Sequence, residues 1–244
     1  MTAARRRLGR IVIEPTLRTE RRHWNSGRLR LAGSDAVGIA CLSGPVVAAA
    51  VSMPANCHRI RGVRDSKQLS RLQREHLYPI ILRRAAAVAV GAASVTEIDR
   101  LNIYHATTLA MRRAITRLPG YDHVVIDGLR IRGFEEQVGP YTAIVDGDAH
   151  CYTIACASIV AKVVRDRLMA RLAARYPGYA WERNVGYATR THREGIRELG
   201  VTPFHRRSFA TVRAALAGEQ LPLDLSLHEE LESAGEVRLL VATA

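Results

Sequence analysis

GSDAVGIACLSGPVVAAAV, residues 33–51, is the stretch on which the fold turns. One strand ends on a single carboxylate, Asp35, and a turn containing Gly38 follows. The run PVVAAAVSM then carries no polar alternation until its end, the pattern of a strand buried on both faces. The residue after Asp35 is Ala36, so this strand end presents one acid and no second one.

Outward from this hairpin, strand and helix signals alternate. Residues 29–32 and 45–53 read as strands. Ser70 suits an N-cap for a helix with Leu72, Leu77, Ile80 and Ile81 on one face. A strand over 85–94 follows, then a helix over 103–118 stopped by Pro119-Gly120, then a short buried strand, HVVIDG, at 123–128. YTAIVDGDAH, 141–150, reads as a strand with a polar end. Ile154, Ala157, Ala161, Leu168 and Leu172 mark a long amphipathic helix over 154–176. A short helix near 191–199 and the basic run HRRSF complete one α/β domain, 29–218, of mixed sheet and covering helices. Its flanks differ in charge. Residues 1–30 hold nine Arg against Glu14 and Glu20, so 1–28 is expected as a basic arm, flexible or loosely docked. Residues 219–244 carry six acids against Arg238 and form a separate acidic tail.

The chain has 244 residues, 48% of them apolar, enough to fill a core and to exclude a disordered protein. A net charge of +13 and a pI near 10.4 point to a polyanionic partner, nucleic acid first. Of the 36 basic residues only Lys67 and Lys162 are Lys, a bias that a codon preference also explains. Cys41, Cys57, Cys151 and Cys156 show no CxxC spacing and read as reduced thiols, which fits a cytoplasmic protein. No apolar run approaches the roughly 20 residues needed to cross a bilayer, and the N-terminus lacks a signal-peptide core. A monomer with no membrane partner is expected.

Asp35, Asp127 in VVIDG and Asp148 in AIVDGD all fall at or just after apolar strand ends. Burying an ionised carboxylate is costly unless it is paired or metal-bound, and strand ends of one sheet can converge. All-oxygen ligands suit Mg²⁺ or Mn²⁺, and such ions support phosphodiester hydrolysis. Each Asp also fits a simple turn cap before Gly.

The ordered motifs AGSDAVG, DSKQLS, EIDRLNIYHATTLAMRRA, VVIDG, GDAHCYTIACASIVAKVVRDRLM, YPGYAWERNVGYATRTH and TPFHRRSFATVR resemble ribonuclease HII, the type 2 ribonuclease H. The resemblance runs from about Leu29 to Arg213. It implies a ribonuclease-H-like mixed β-sheet flanked by helices, with a small helical C-terminal part. It also implies Mg²⁺ or Mn²⁺ as cofactor, and as substrate an RNA–DNA hybrid or duplex DNA containing ribonucleotides. Asp35, Asp127 and Asp148 stand at three of the family's four acidic positions, catalytic and metal-binding. Gly38, Ser66, Lys67 and Tyr187 stand at positions that bind substrate. Tyr187 matches the Tyr that stacks on the junction sugar, whose 2′-hydroxyl distinguishes RNA from DNA.

The chain departs from the family where the chemistry is done. Ala36 replaces the Glu after the first Asp, and Gly38-Ile39-Ala40 replaces a Gly-Arg-Gly turn. Asp146 replaces a Lys, and Asn184-Val185 replaces a His-Lys pair. If residues 146–148 are extended, Asp146 shares a face with Asp148 and is a candidate replacement acid. Two functions follow from the resemblance. One is a metal-assisted endonuclease with weakened activity; the other is a catalytically silent relative that still binds hybrid or duplex nucleic acid.

Overall fold

A computed structural model of the chain describes residues 14–218, so the tail 219–244 and residues 1–13 of the expected arm lie outside the described residues. Five strands, β1 (Leu31–Val37), β2 (Val46–Ser52), β3 (Ala87–Ala93), β4 (His123–Asp127) and β5 (Tyr141–Ile144), form one sheet in the order β3-β2-β1-β4-β5. β1 and β2 make an antiparallel hairpin and β3 extends it antiparallel, whereas β4 and β5 add in parallel beyond β1. The sheet is mixed, as expected. In chain order the helices are α1 (Arg18–Asn25), α2 (Arg71–Arg84), α3 (Val95–Ile115), α4 (Glu135–Val138), α5 (Gly147–His150), α6 (Tyr152–Arg175), α7 (Trp181–Asn184), α8 (Arg190–Leu199) and α9 (Ala210–Leu216).

All seven residues of β2 are buried. Ala49 and Val51 pack with Leu77 and Ile81 of α2 and with Ile159 and Val160 of α6, while Val46, Ala48 and Ala50 pack with Ile98, Ala106 and Ala110 of α3 on the other face. Each fully buried Val or Ile side chain is worth roughly 1.5–3 kcal/mol, which makes this interior strand, next to the central β1, a main support of the fold. Small residues set the helix distances. A Cβ at Gly33 would lie 2.6 Å from the backbone nitrogen of Ile154, and one at Gly91 would lie 2.3 Å from the carbonyl oxygen of Ala110. Gly33 therefore lets the start of α6 sit on β1, two residues from Asp35 and on the same face. A third cluster joins Met169 and Leu172 of α6 to Trp181, Ile196 and Val212, forming the helical C-terminal part.

Three local differences from the expected elements have clear causes. The helix expected over 103–118 begins at Val95, because Ser94 and Glu97 form a capping box, and it kinks at Asn102, whose φ is 66°. Asn102 then accepts a hydrogen bond from the His105 N–H (3.1 Å), capping the second segment near the expected start. Leu72 is 82% exposed, since the buried stripe of α2 runs through Leu77 and Ile81 instead. Within the expected arm, residues 18–25 are a helix held by buried Trp24 and Glu20. The Glu20 carboxylate accepts from the Thr153 N–H (2.7 Å) and hydroxyl (2.8 Å), so α1 is docked on the start of α6.

Candidate active site

Asp35 lies near the end of β1 and is 6% exposed; Asp127 ends β4, the parallel neighbour of β1. The β5 segment ends at Ile144, three residues before the single helical turn α5 that carries buried Asp148. Gly147 closes this turn onto the sheet, its N–H donating to Asp127 Oδ1 (2.7 Å). A Cβ on Gly147 would lie 2.7 Å from Cδ1 at the tip of the Ile154 side chain, which would have to move aside for any larger residue.

Residues 146–148 are consequently not extended, which corrects the reading of Asp146. That residue is exposed and left-handed (φ 51°), at the N-terminal boundary of α5, while Asp148 turns inward.

The three aspartates sense one another. Burial raises the Asp35 pKa to about 8, with the charges of Asp127 and Asp148 adding to it and a Ser158 hydrogen bond acting against it. Burial likewise raises Asp148 to about 7, Lys67 opposes this, and Asp65 and Asp127 reinforce it. Lys67 is held above its ordinary value although burial works the other way, because Asp148, Asp35, Asp65 and Asp127 all face it. One ammonium thus stands among four carboxylates. Ser66 is buried beside them, its hydroxyl within hydrogen-bond distance of that of Ser158 (2.8 Å). Asp65 orients the segment by accepting from the Lys67 N–H (2.8 Å).

Ala36 faces away from Asp35 across the strand, packing toward the α3 side. A cavity of about 220 Å³ nevertheless joins the two, lined by Asp35, Ala36, Ile39, Met111, Asp127 and Ile131. Crowded buried carboxylates with a single counter-charge are relieved by protons or by a hard cation, and all-oxygen donors suit a divalent one. Among the described residues, however, no three His, Cys, Asp or Glu side chains are placed to hold an ion together. The donor chemistry fits such a cation, in the form of a coupled set of carboxylates without a closed cage.

The turn after β1 is built differently. Gly38 has φ +87°, and a Cβ there would lie 2.0 Å from Arg165 Nε. Arg165 and Arg206 are wholly buried. Arg206 donates to the carbonyls of Gly38 (2.6 Å), Ile39 (2.7 Å) and Gly44 (3.0 Å), and Arg165 donates to those of Pro45 (3.0 Å), Ser43 (3.1 Å) and Val185 (2.8 Å). Burial pushes Arg206 down to about 9.

Tyr187 stands beside this turn. Its backbone bridges to Cys41, its ring has Lys162 Nζ 5.7 Å from the centroid, and its carbonyl accepts from His192 Nδ1 (2.8 Å). His192 Nε2 then receives the Trp181 indole N–H (2.9 Å) and faces His205 Nε2 (3.1 Å), while His205 Nδ1 accepts from the Thr202 N–H (2.9 Å). With both imidazoles neutral, His192 Nε2 is the shared acceptor of the Trp181 and His205 N–H groups. Burial keeps them so, lowering His192 to about 4 and His205 to about 3. Asn184 has become a structural residue, donating to the Tyr179 carbonyl (2.8 Å) and accepting from the Gly186 N–H (2.8 Å). A cleft of about 500 Å³ beside Tyr187 is walled by Arg71, Arg74, Lys162 and Arg183.

The structure thus gathers Asp35, Asp127, Asp148, Ser66 and Lys67 in one cluster, puts Gly38 on the adjoining turn and sets Tyr187 beside that turn through Cys41. Sequence reasoning missed Asp65, although DSK was in view, and missed Ser158, Arg165, Arg206, His192 and His205.

Comparison with known proteins gives the family of the chain. Residues 32–212 match the family model for ribonuclease HII. The chain is 52% identical over 200 residues to the ribonuclease HII of Thermosynechococcus vestitus, covering 81% of this chain and 92% of that protein. It is 51% identical over 194 residues to that of Granulibacter bethesdensis, covering 77% and 86%. Among solved structures it resembles ribonuclease H2 of Pyrococcus horikoshii, with a TM-score of 0.67, 25% identity and coverage of 78% of this chain and 98% of that one. It also resembles the structure of the PCNA:RNase HII complex from Archaeoglobus fulgidus, with a TM-score of 0.63, 27% identity and coverage of 73% and 94%.

Proposed function

The chain belongs to the ribonuclease HII family, which acts on RNA–DNA hybrids, and from that premise we propose that it cleaves at ribonucleotides paired with or embedded in DNA, slowly because of Ala36. The observation that carries the reading is the coupling of Asp35, Asp127 and Asp148 from three separate elements around Lys67. In this reading these three aspartates hold a divalent ion, Mg²⁺ or Mn²⁺. The chemistry such an ion supplies is activation of a water and neutralisation of charge on the leaving oxygen. Asp127 keeps its orientation through the Gly147 N–H. Lys67 offsets the excess negative charge that would repel a phosphodiester. Gly38 and its neighbours present backbone to the ribose, and Tyr187 offers a ring face to the sugar. Loss of a single electrostatic catalytic group typically costs about 10²–10³-fold in rate, which sets the size of the deficit.

The test is cleavage of a duplex bearing one ribonucleotide, with Mg²⁺ and Mn²⁺ compared. Slow cleavage that needs the metal and is lost in Asp127→Asn is expected. The competing reading, a silent family member that binds hybrid or duplex without cutting it, is favoured by the lack of a closed three-ligand group among the described residues. Tight binding with no product at either metal would establish that reading in place of the first.

A further inference from the structure

A groove of about 1090 Å³ lies between α1 and the loop after β2. Arg18, Arg21 and Arg22 line one wall, His58 and Arg59 the other, and Thr16 belongs to its lining as well. The three α1 arginines fall at i, i+3 and i+4, so they share one helix face. Like charges at that spacing cost a few tenths of a kcal/mol per pair. None of the three meets a carboxylate within salt-bridge distance among the described residues; Arg59 alone of the groove's arginines does, pairing with Glu14 at 3.5 Å. The one acid of the helix, Glu20, points inward and is spent on Thr153 and Cys151. Together with buried Trp24 this contact locks α1, so the cationic wall is held in place before any partner arrives.

Thr16 ties one end of the groove to the segment that follows Asp148. The Thr16 N–H donates to the His150 carbonyl (3.1 Å), two residues past Asp148, and the Tyr152 N–H donates to the Thr16 carbonyl (3.2 Å). A duplex reaching from the carboxylates toward the start of β1, the end of the sheet at which the loop after β2 leaves (Ser52 opposite Ala32), meets basic side chains on both walls of the groove. We propose that the groove is a second, sequence-independent seat for the phosphodiester backbone of a duplex whose ribonucleotide lies at the carboxylates. The proposal rests on the reading of the protein as a nucleic-acid binder and adds where the flanking duplex is held.

Fluorescence anisotropy with an all-DNA duplex of about 30 base pairs, in chelator and across a NaCl series, tests it, because each phosphate contact contributes about 0.9 to the slope of log affinity against log salt. The variant Arg18→Gln/Arg21→Gln/Arg22→Gln is compared with Arg100→Gln/Arg112→Gln/Arg132→Gln, which removes equal charge from exposed positions elsewhere. Circular dichroism confirms that both are folded. The groove variant should bind at least about tenfold more weakly at low salt and lower the slope by about 2–3, while the matched variant changes it by less than about 1. Cleavage of a short duplex that cannot reach the groove should be unaltered. Equal behaviour of the two variants would overturn the groove alone, leaving a general basic field. No DNA binding by the unaltered protein would overturn the nucleic-acid reading together with it.

Discussion

The end of β1 and the turn that follows it are neighbours in sequence and opposites in chemistry. At the strand end, Asp35, Asp127 and Asp148 share one ammonium, and two of them are held well above the ordinary carboxylate range by burial and mutual repulsion. In the turn, two wholly buried arginines spend six hydrogen bonds on six backbone carbonyls. The first region is electrostatically unfinished and waits for protons or a cation. The second is satisfied within the protein. This difference means that the turn's shape does not depend on the side chains of Ile39 and Ala40: its conformation is fixed through carbonyls, which every residue provides, whereas Ala36 brings no carboxylate to the strand end.

The comparison can be tested first at its weak side. Ala36→Glu with Ile39→Arg and Ala40→Gly should raise cleavage of a single-ribonucleotide duplex by about 10²–10³-fold, measured by steady-state kinetics, since the cavity beside Ala36 leaves room for the acid. Unchanged cleavage and metal affinity would mean that the centre has drifted beyond these positions. On the satisfied side, Arg206→Met should destabilise the fold by about 3 kcal/mol, because it leaves the carbonyls of Gly38, Ile39 and Gly44 without their donor. Guanidinium unfolding measures this, and a loss below about 1 kcal/mol would show that water satisfies the turn instead.

A smaller effect separates protons from cations at the carboxylates. Asp35 titrates near 8 when folded and near 3.9 when unfolded, so between those values the folded state holds the extra proton. Stability without metal should therefore fall as pH rises from about 4 to about 8. Thermal unfolding of Asp35→Asn should show a flatter profile and a higher Tm at pH 8. The same variant should weaken Mn²⁺ binding about tenfold or more by calorimetry, while Asp146→Asn, at an exposed position, should leave it within about twofold. A larger loss from Asp146→Asn would make that residue the replacement ligand after all.

The smallest expected change concerns residues 219–244, whose net charge of −5 contrasts with a body of +18. Truncation after Gly218 should tighten duplex binding a few-fold at low salt and by less at high salt, as expected for a tethered competitor. Equal affinities at low salt would remove the tail from the binding surface.

What could be read from the residues in order was whatever has a local signature. The six consecutive apolar residues of β2, Val46 to Val51, announce a strand buried on both faces. Ser70 does cap α2. The Asp residues after apolar runs, with DSK and GYAT, identify the family. What depended on the tertiary structure has no such signature. Asp148 faces inward because Gly147 folds one helical turn against Asp127, twenty residues earlier in the chain. Glu20 looked like one acid in a basic arm until it met Thr153, 133 positions away. Arg206 looked like part of a basic surface run, yet it holds Gly38 across 168 positions. A guanidinium is written the same way in the sequence whether it will face water or carbonyls, and every residue carries a carbonyl, so only the folded chain decides which arginines become internal scaffolding and which stay free to take up phosphate.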